Sequence, residues 1–307
     1  MDAASGWTTG AGHSGPPPAI AHGGPVVVGV DSAPESRAAL TWAIEEATRR
    51  KRPLHLLHAR ARQDSSGPVA PGAQDPDPVR TVVETALVRA RTVAPDLEVT
   101  TQVSDESPAT ALVAASESAS CVVVGSRGRG ALTGAVLGTT SAEVAVRASC
   151  PVVVVRRLGV VETERPSVVV GTDGSGLSTE AIGYAFAQAS LRRLPLTVVH
   201  ACPSRSSGGY VAPWLSDDPA ARVAEEQAAT AEEVTGWSEQ YPDVRVRRHV
   251  LRADPVKALV DHSRGAELLV VGSRGIGGVS GRLVGSVSQG VLSRAHCPVV
   301  VVRTGTG

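Results

Sequence analysis

The chain repeats itself. Gly125-Ser-Arg-Gly128, nine residues and Gly138-Thr139 return as Gly272-Ser-Arg-Gly275, nine residues and Gly285-Ser286. Each copy follows a short apolar run, Val122-Val123-Val124 or Leu269-Val270-Val271. The spacing extends beyond these loops. Asp31 and Asp173 lie 142 residues apart (173 − 31), as do His58 and His200 (200 − 58). Pro108 and Pro255 lie 147 apart (255 − 108), as do Gly125 and Gly272 (272 − 125). One five-residue length change, in or after a loop over 59–78, accounts for all four offsets. The 307 residues therefore divide into two tandem copies, 25–156 and 166–303, with a linker over 157–165.

Within each copy strands alternate with helices. Pro25-Val-Val-Val-Gly-Val-Asp31 and Pro166-Ser-Val-Val-Val-Gly-Thr-Asp173 read as buried first strands ending in a carboxylate. A helix is expected over 34–50, where Leu40, Ile44 and Ala47 share one face. Leu54-His-Leu-Leu-His58 and Leu196-Thr-Val-Val-His200 read as second strands. In the first copy a helix over 79–93 and a weak strand over 97–103 follow. Then come a helix from 108, a strand over 121–124, the glycine loop, a helix from 139 and a strand over 151–155. Such alternation implies parallel strands and right-handed crossovers. The fold class is α/β: two tandem Rossmann-like, doubly wound sheets, each of about five parallel strands. In the order 3-2-1-4-5, strands one and four are neighbours, so Asp31 and Gly125 flank the crevice where open sheets bind ligands. A glycine-rich turn there lets backbone approach phosphate, and the following helix offers free N–H groups.

Composition narrows the field. Aromatic residues make up only 3% of a chain that is 42% hydrophobic. The core must then come from Val, Leu, Ile and Ala, which suits α/β layers. Thirty basic and thirty acidic residues cancel, leaving no electrostatic case for nucleic acid or an anionic membrane. No apolar run approaches the ~20 residues of a membrane span. Residues 1–24 lack the features of a signal peptide and read as a disordered tail, so a cytoplasmic location is expected. Cys121, Cys150, Cys202 and Cys297 form no CxxC pair and no zinc spacing with histidine. They read as small core residues in a reducing compartment. No metal-ligand pattern is visible.

With these residues assembled, the chain resembles the universal stress protein family over nearly everything from Pro25 to Arg303. Its ATP-binding members carry G-x2-G-x9-G-[ST], which both halves match in full. Further similarities are Val-Gly-Val-Asp31-Ser, Val-Gly-Thr-Asp173-Gly-Ser, the histidines ending strand two, and Pro-Val-Val-Val-Val at 151 and 298. The Arg-rich tandem form resembles actinobacterial members. The resemblance implies ATP as ligand, carried with Mg2+. It places Gly29 and Asp31 in the nucleotide site, Asp31 beside the nucleoside, and the backbone of Ala59 against adenine. Gly125, Ser126, Arg127 and Gly128 would pass close to ribose and phosphates. Gly138, Thr139 and Ser141 would hold the distal phosphates. The second set is Gly171, Asp173, Ala201, Gly272, Ser273, Arg274, Gly275, Gly285, Ser286 and Ser288. The resemblance also implies that the last strand pairs with another domain. Contact between the halves and homodimerisation through edge strands both stay open, and a protein partner is expected.

The copies are not identical. Asp31-Ser-Ala stands against Asp173-Gly-Ser, Arg129 against Ile276, and Ala135 against Arg282. The two sites are expected to differ. Tyr210 and Trp214 have no aromatic counterparts in the first half and suit a lid or a partner contact. His58 and His200 accompany no nucleophile pattern and read as structural. The expected function is an ATP-binding stress-response regulator without conventional catalysis. The alternatives are a slow ATPase or autophosphorylating enzyme, and a dimeric scaffold with vestigial sites. Against an enzyme, there is no G-x4-G-K-[ST] loop, and no acidic pair near the motif beyond the two aspartates.

Overall fold

The computed structural model describes residues 23–60, 78–128, 137–156, 166–175, 178–202, 219–273, 275 and 285–303. The first half contains β1 (Val26–Gly29), α1 (Pro34–Arg50), β2 (Leu54–Ala59), α2 (Pro78–Val93) and β3 (Val99–Ser104). It continues with α3 (Pro108–Ala115), β4 (Cys121–Gly125), α4 (Thr139–Arg147) and β5 (Val152–Val155). The second half repeats this order. Its first elements are β6 (Val168–Thr172), α5 (Thr179–Arg192), β7 (Leu196–Cys202), α6 (Pro219–Gln240) and β8 (Val246–Arg252). The last are α7 (Pro255–His262), β9 (Leu268–Gly272), α8 (Ser286–Arg294) and β10 (Val299–Val302).

Each half has the expected strand order, β3-β2-β1-β4-β5 and β8-β7-β6-β9-β10, with parallel pairing throughout. The halves do not form separate sheets. β5 and β10 pair antiparallel, Val299↔Val154, Val300↔Val153 and Val301↔Val152, to give one ten-stranded sheet. This settles the question left open by the sequence: the Pro-Val-Val-Val-Val strands join the two halves of one chain. Two buried edges have thereby been removed, since all four valines of each strand are buried.

The strands are valine-rich because helices cover both faces. One core lies beneath α1, α2, α5 and α6, the other beneath α3, α4, α7 and α8, and each runs unbroken across the seam. Proline opens α1, α3 and α7, where the missing N–H costs nothing. Ser107 and Asp254 cap α3 and α7 through the N–H groups of Thr110 and Lys257. At their far ends α1 and α5 stop on Lys51 (φ 53°) and Arg193 (φ 56°), a left-handed conformation in which glycine is the usual residue.

The seam has a pseudo-twofold axis, and α1 meets α5 beside it. Trp42, Glu46 and Arg50 of α1 correspond to Tyr184, Gln188 and Arg192 of α5 by the same 142-residue offset (184 − 42). Glu46 is fully buried. It accepts hydrogen bonds from Arg50 Nε (2.6 Å), Arg192 Nη2 (2.6 Å) and Gln188 Nε2 (3.1 Å). Each arginine also lies over the opposite half's aromatic ring, Arg50 over Tyr184 (5.6 Å) and Arg192 over Trp42 (5.7 Å). Burial pushes the Glu46 carboxyl up, but Arg50 and Arg192 outweigh it and hold the group below its usual range.

Candidate functional site

β1 delivers Asp31 to the mouth of the sheet, where its position is fixed by the first turn of α1. The Asp31 N–H donates to Ser36 Oγ (2.9 Å), and the Ala33 N–H donates to Asp31 Oδ1 (2.8 Å). Oδ2 faces the glycine loop: a Cβ on Gly128 would sit 3.1 Å from it. The second copy repeats the arrangement. Ser175 donates to Asp173 Oδ1 through its N–H (3.1 Å) and hydroxyl (2.5 Å). A Cβ on Gly275 would lie 2.5 Å from Asp173 Oδ2. So the strand-one carboxylate and the second motif glycine, far apart in sequence, meet in both halves.

The loop that starts at β4 returns to its origin. Gly138 N–H donates to the Ser126 carbonyl, and Gly285 N–H to the Ser273 carbonyl, each at 2.8 Å. The excursion is thus pinched shut next to the start of a helix. Among the described residues no side chain caps α4 or α8, and the N–H groups of their first turns and their positive dipole ends face the loop. Thr139 and Ser286 are exposed at these positions. In the first half Arg127 adds a buried Nε with no hydrogen-bond partner among the described residues. Burial and the nearby Arg127 cation hold the Arg156 pKa below its ordinary value, so positive charge concentrates here. Free N–H groups, hydroxyls and guanidinium make this a place for an anion.

The end of β2 forms the other wall. Leu57 carbonyl bonds across to Val30 N–H, and Arg60 N–H bonds to the Ser104 carbonyl on the opposite side. Because backbone groups alternate along a strand, Ala59 turns its N–H and C=O towards the β1 side, past the point where β1 ends. His58 holds the Val30 carbonyl through Nδ1 (2.6 Å), and His200 holds that of Thr172 (3.1 Å). Both histidines are buried and structural, as the sequence suggested. In the second copy the ladder runs one pair further, to Thr172↔His200, where the first stops at Gly29↔Leu57.

Several expected ligand contacts have other work in the structure. Gly29 and Gly171 point their missing side chains at Leu112 and Leu259: a Cβ would lie 3.2 and 2.9 Å from those leucines. These glycines admit helices α3 and α7 to the sheet. Ser141 and Ser288 are buried and donate their hydroxyls to the Gly125 and Gly272 carbonyls, both at 2.6 Å. They clamp helix to strand end instead of presenting a donor to the crevice. Gly125 has a dual reason to be glycine, because a Cβ would lie 2.9 Å from the Glu35 backbone. Ser126 and Ser273 bury their side chains. Arg274, Arg129, Ala135, Ile276, Arg282, Tyr210, Trp214 and the tail before residue 23 lie outside the described residues.

Sequence reasoning missed Ser36 as the anchor of the Asp31 backbone. Its counterpart Ser178 shares the 142-residue offset, so the repeat itself carried that signal. It also missed Glu233 of α6, which accepts from Thr172 (2.9 Å) and Ser178 (3.3 Å). The first half has Val30 at the position of Thr172, so this polar brace belongs to the second copy.

The profile of the universal stress protein family matches residues 24–156 and 165–303. A universal stress protein of Mycolicibacterium smegmatis is 39% identical over 294 residues, covering 91% of this chain and 96% of its own. One from Mycobacterium tuberculosis is 38% identical over 288 residues with the same coverage. The crystal structure of a universal stress protein from Archaeoglobus fulgidus matches in fold with a TM-score of 0.59 at 19% identity, covering 91% of this chain and 98% of that one.

Proposed function

This chain belongs to the universal stress protein family, and on that premise we propose that each half binds one ATP, with Mg2+, as a cytoplasmic stress-response regulator without conventional catalysis. The reading rests on one duplicated observation: a carboxylate faces a glycine cradle beside an uncapped helix start. The cradle suits a nucleotide. At Gly128 and Gly275 a side chain would intrude on the space by the carboxylate. The donor set of helix N–H groups, Thr139 or Ser286 and, in the first half, Arg127 suits phosphate oxygens. Asp31 and Asp173 suit ribose hydroxyls, and the outward backbone of Ala59 or Ala201 suits an adenine edge. Among the described residues no group of three or more His, Cys, Asp or Glu could hold a metal, so Mg2+ would ride on the phosphates. No helix among them is long and apolar enough to cross a membrane.

Regulation follows from what the ligand holds together. Phosphate at the start of α4 or α8 and nucleoside at Asp31 or Asp173 would tie two loops to one ligand. A partner that prefers the tied arrangement then responds to ATP, in proportion to ATP's differential affinity for the two states. The chain would act as a homodimer with a protein partner.

Heat release of nucleotide from the purified chain, counted by chromatography, tests this reading. Two ATP per chain is the expected result, with Gly128→Ala and Gly275→Ala each removing one. Absence of nucleotide, with no binding on addition of ATP and Mg2+, would refute it. Release of ADP would refute the non-catalytic part alone.

A further inference from the structure

Joining β5 to β10 leaves the ten-stranded sheet with two outer strands, β3 and β8. They occupy equivalent places in the two halves, yet they differ in chemistry. β8 reads Val-Arg-Arg-His-Val-Leu-Arg and follows Arg245, and Arg245, Arg247, Arg248 and Arg252 are all exposed. β3 reads Val-Thr-Thr-Gln-Val-Ser and carries no charge. Charged residues on an edge block pairing with another chain, and between the flanking Glu98 and Asp105 β3 has none. We propose that β3 is the strand through which two copies of this chain associate, antiparallel, across a twofold axis.

The register can be derived. Leu54 N–H bonds to the Glu98 carbonyl and Arg60 N–H to the Ser104 carbonyl, so even-numbered residues of β3 turn their backbone groups inward to β2. Val99, Thr101 and Val103 turn theirs outward. An antiparallel pair centred on Thr101 sets Thr101 opposite itself and Val99 opposite Val103 of the second copy. The pairs Thr101–Thr101 and Val99–Val103 are β-branched against β-branched, which sheet pairing favours, and Thr100 faces the uncharged Gln102. The same operation at β8 would bring two sets of four arginines together.

Exposed apolar side chains cluster at the same end of the sheet. Of the four large hydrophobic residues exposed among the described residues, Val88, Val93 and Val103 belong to α2 and β3, and only Leu191 lies elsewhere. The seam within the chain shows the architecture this would produce. There an antiparallel strand pair is covered on one face by one helix from each side, α1 and α5. A twofold axis at β3 would place α2 on the same face as its copy, over the exposed Val103. Pairing β3 to β8 instead is heterologous and leaves one β3 and one β8 edge free on every pair of chains.

Sedimentation velocity on the full chain tests the proposal, without nucleotide and with ATP and Mg2+. A species of twice the chain mass is expected in both. Thr101→Lys, an exposed substitution that sets like charges face to face, should shift it to the mass of one chain. Arg248→Thr should leave the dimer intact. Circular dichroism melting confirms that both variants fold. Thr101→Cys in a Cys202→Ser background should form a disulfide-linked dimer on mild oxidation, since facing hydrogen-bonded Cα atoms lie about 5.5 Å apart. A monomeric wild type, a dimer that survives Thr101→Lys, or polymers lost with Arg248→Thr would each overturn it. None of these outcomes depends on whether the crevices bind ATP.

Discussion

The buried carboxylate at the seam can be moved across the pseudo-twofold axis, and that makes it a sharp test of what holds the halves together. Glu46 neutralises two guanidiniums whose side chains are 9% and 3% exposed, Arg50 and Arg192. Glu46→Gln keeps the volume and one acceptor oxygen but leaves both cations without a counterion. Removing one partner of a buried ion pair costs about 3–5 kcal/mol, and the retained acceptor places this change near about 3 kcal/mol. Gln188 occupies the mirror position and already donates to Glu46. In Glu46→Gln/Gln188→Glu the carboxylate therefore returns on the other helix, between the same arginines. The double variant should lie within about 1 kcal/mol of wild type, a non-additivity expected only of residues sharing one network. Urea unfolding followed by circular dichroism supplies all three values. A double variant as unstable as Glu46→Gln would refute charge balance as the role of the cluster. The pH dependence has a definite sign. Since the folded Glu46 pKa lies below its ordinary 4.5, its contribution is complete above that value and is lost as pH falls through the lower folded value. The gap between wild type and Glu46→Gln should close in acid, not in base.

Other substitutions separate packing from ligand contact. Gly171→Ala drives a methyl against Leu259 and should cost about 1–3 kcal/mol in urea unfolding while leaving the nucleotide count unchanged. Gly29→Ala, with 3.2 Å to Leu112, should cost less. Lys51→Gly and Arg193→Gly relieve left-handed backbone at the ends of α1 and α5 and should each stabilise by about 1 kcal/mol, read as a higher urea midpoint. A thiol reagent at neutral pH should label Cys202 and spare the rest until the chain unfolds. Burial pushes the Cys121 thiol up to about 11 and that of Cys297 up to about 12, and raises Cys150 as well. Rapid labelling of a second thiol in the native protein would contradict the buried placement of these strands.

Much of this fold was legible because duplication writes geometry as arithmetic. Two offsets aligned the halves, and the convergence of Asp31 with the glycine loop that opens at Gly125 followed from the expected strand order. What stayed hidden was which way each small residue faces. Gly29, at the end of strand one, and Gly128, in the loop, were both expected beside the nucleotide. Yet only Gly128 opens towards Asp31, while Gly29 opens towards Leu112 on the far side of the strand. Ser141 and Thr139 are two residues apart on one helix. That places the first hydroxyl beneath the strand end, donating to Gly125, and leaves the second exposed at the helix start. The joining of β5 to β10 was narrowed only to contact between the halves or between chains, since four valines favour a buried neighbour without specifying which. The seam was nonetheless written in the same offset as the site. Trp42, Glu46 and Arg50 map onto Tyr184, Gln188 and Arg192, one apolar, one polar and one cationic pair. A triad kept at identical spacing on both helices is what two faces produce when each must pack against the other.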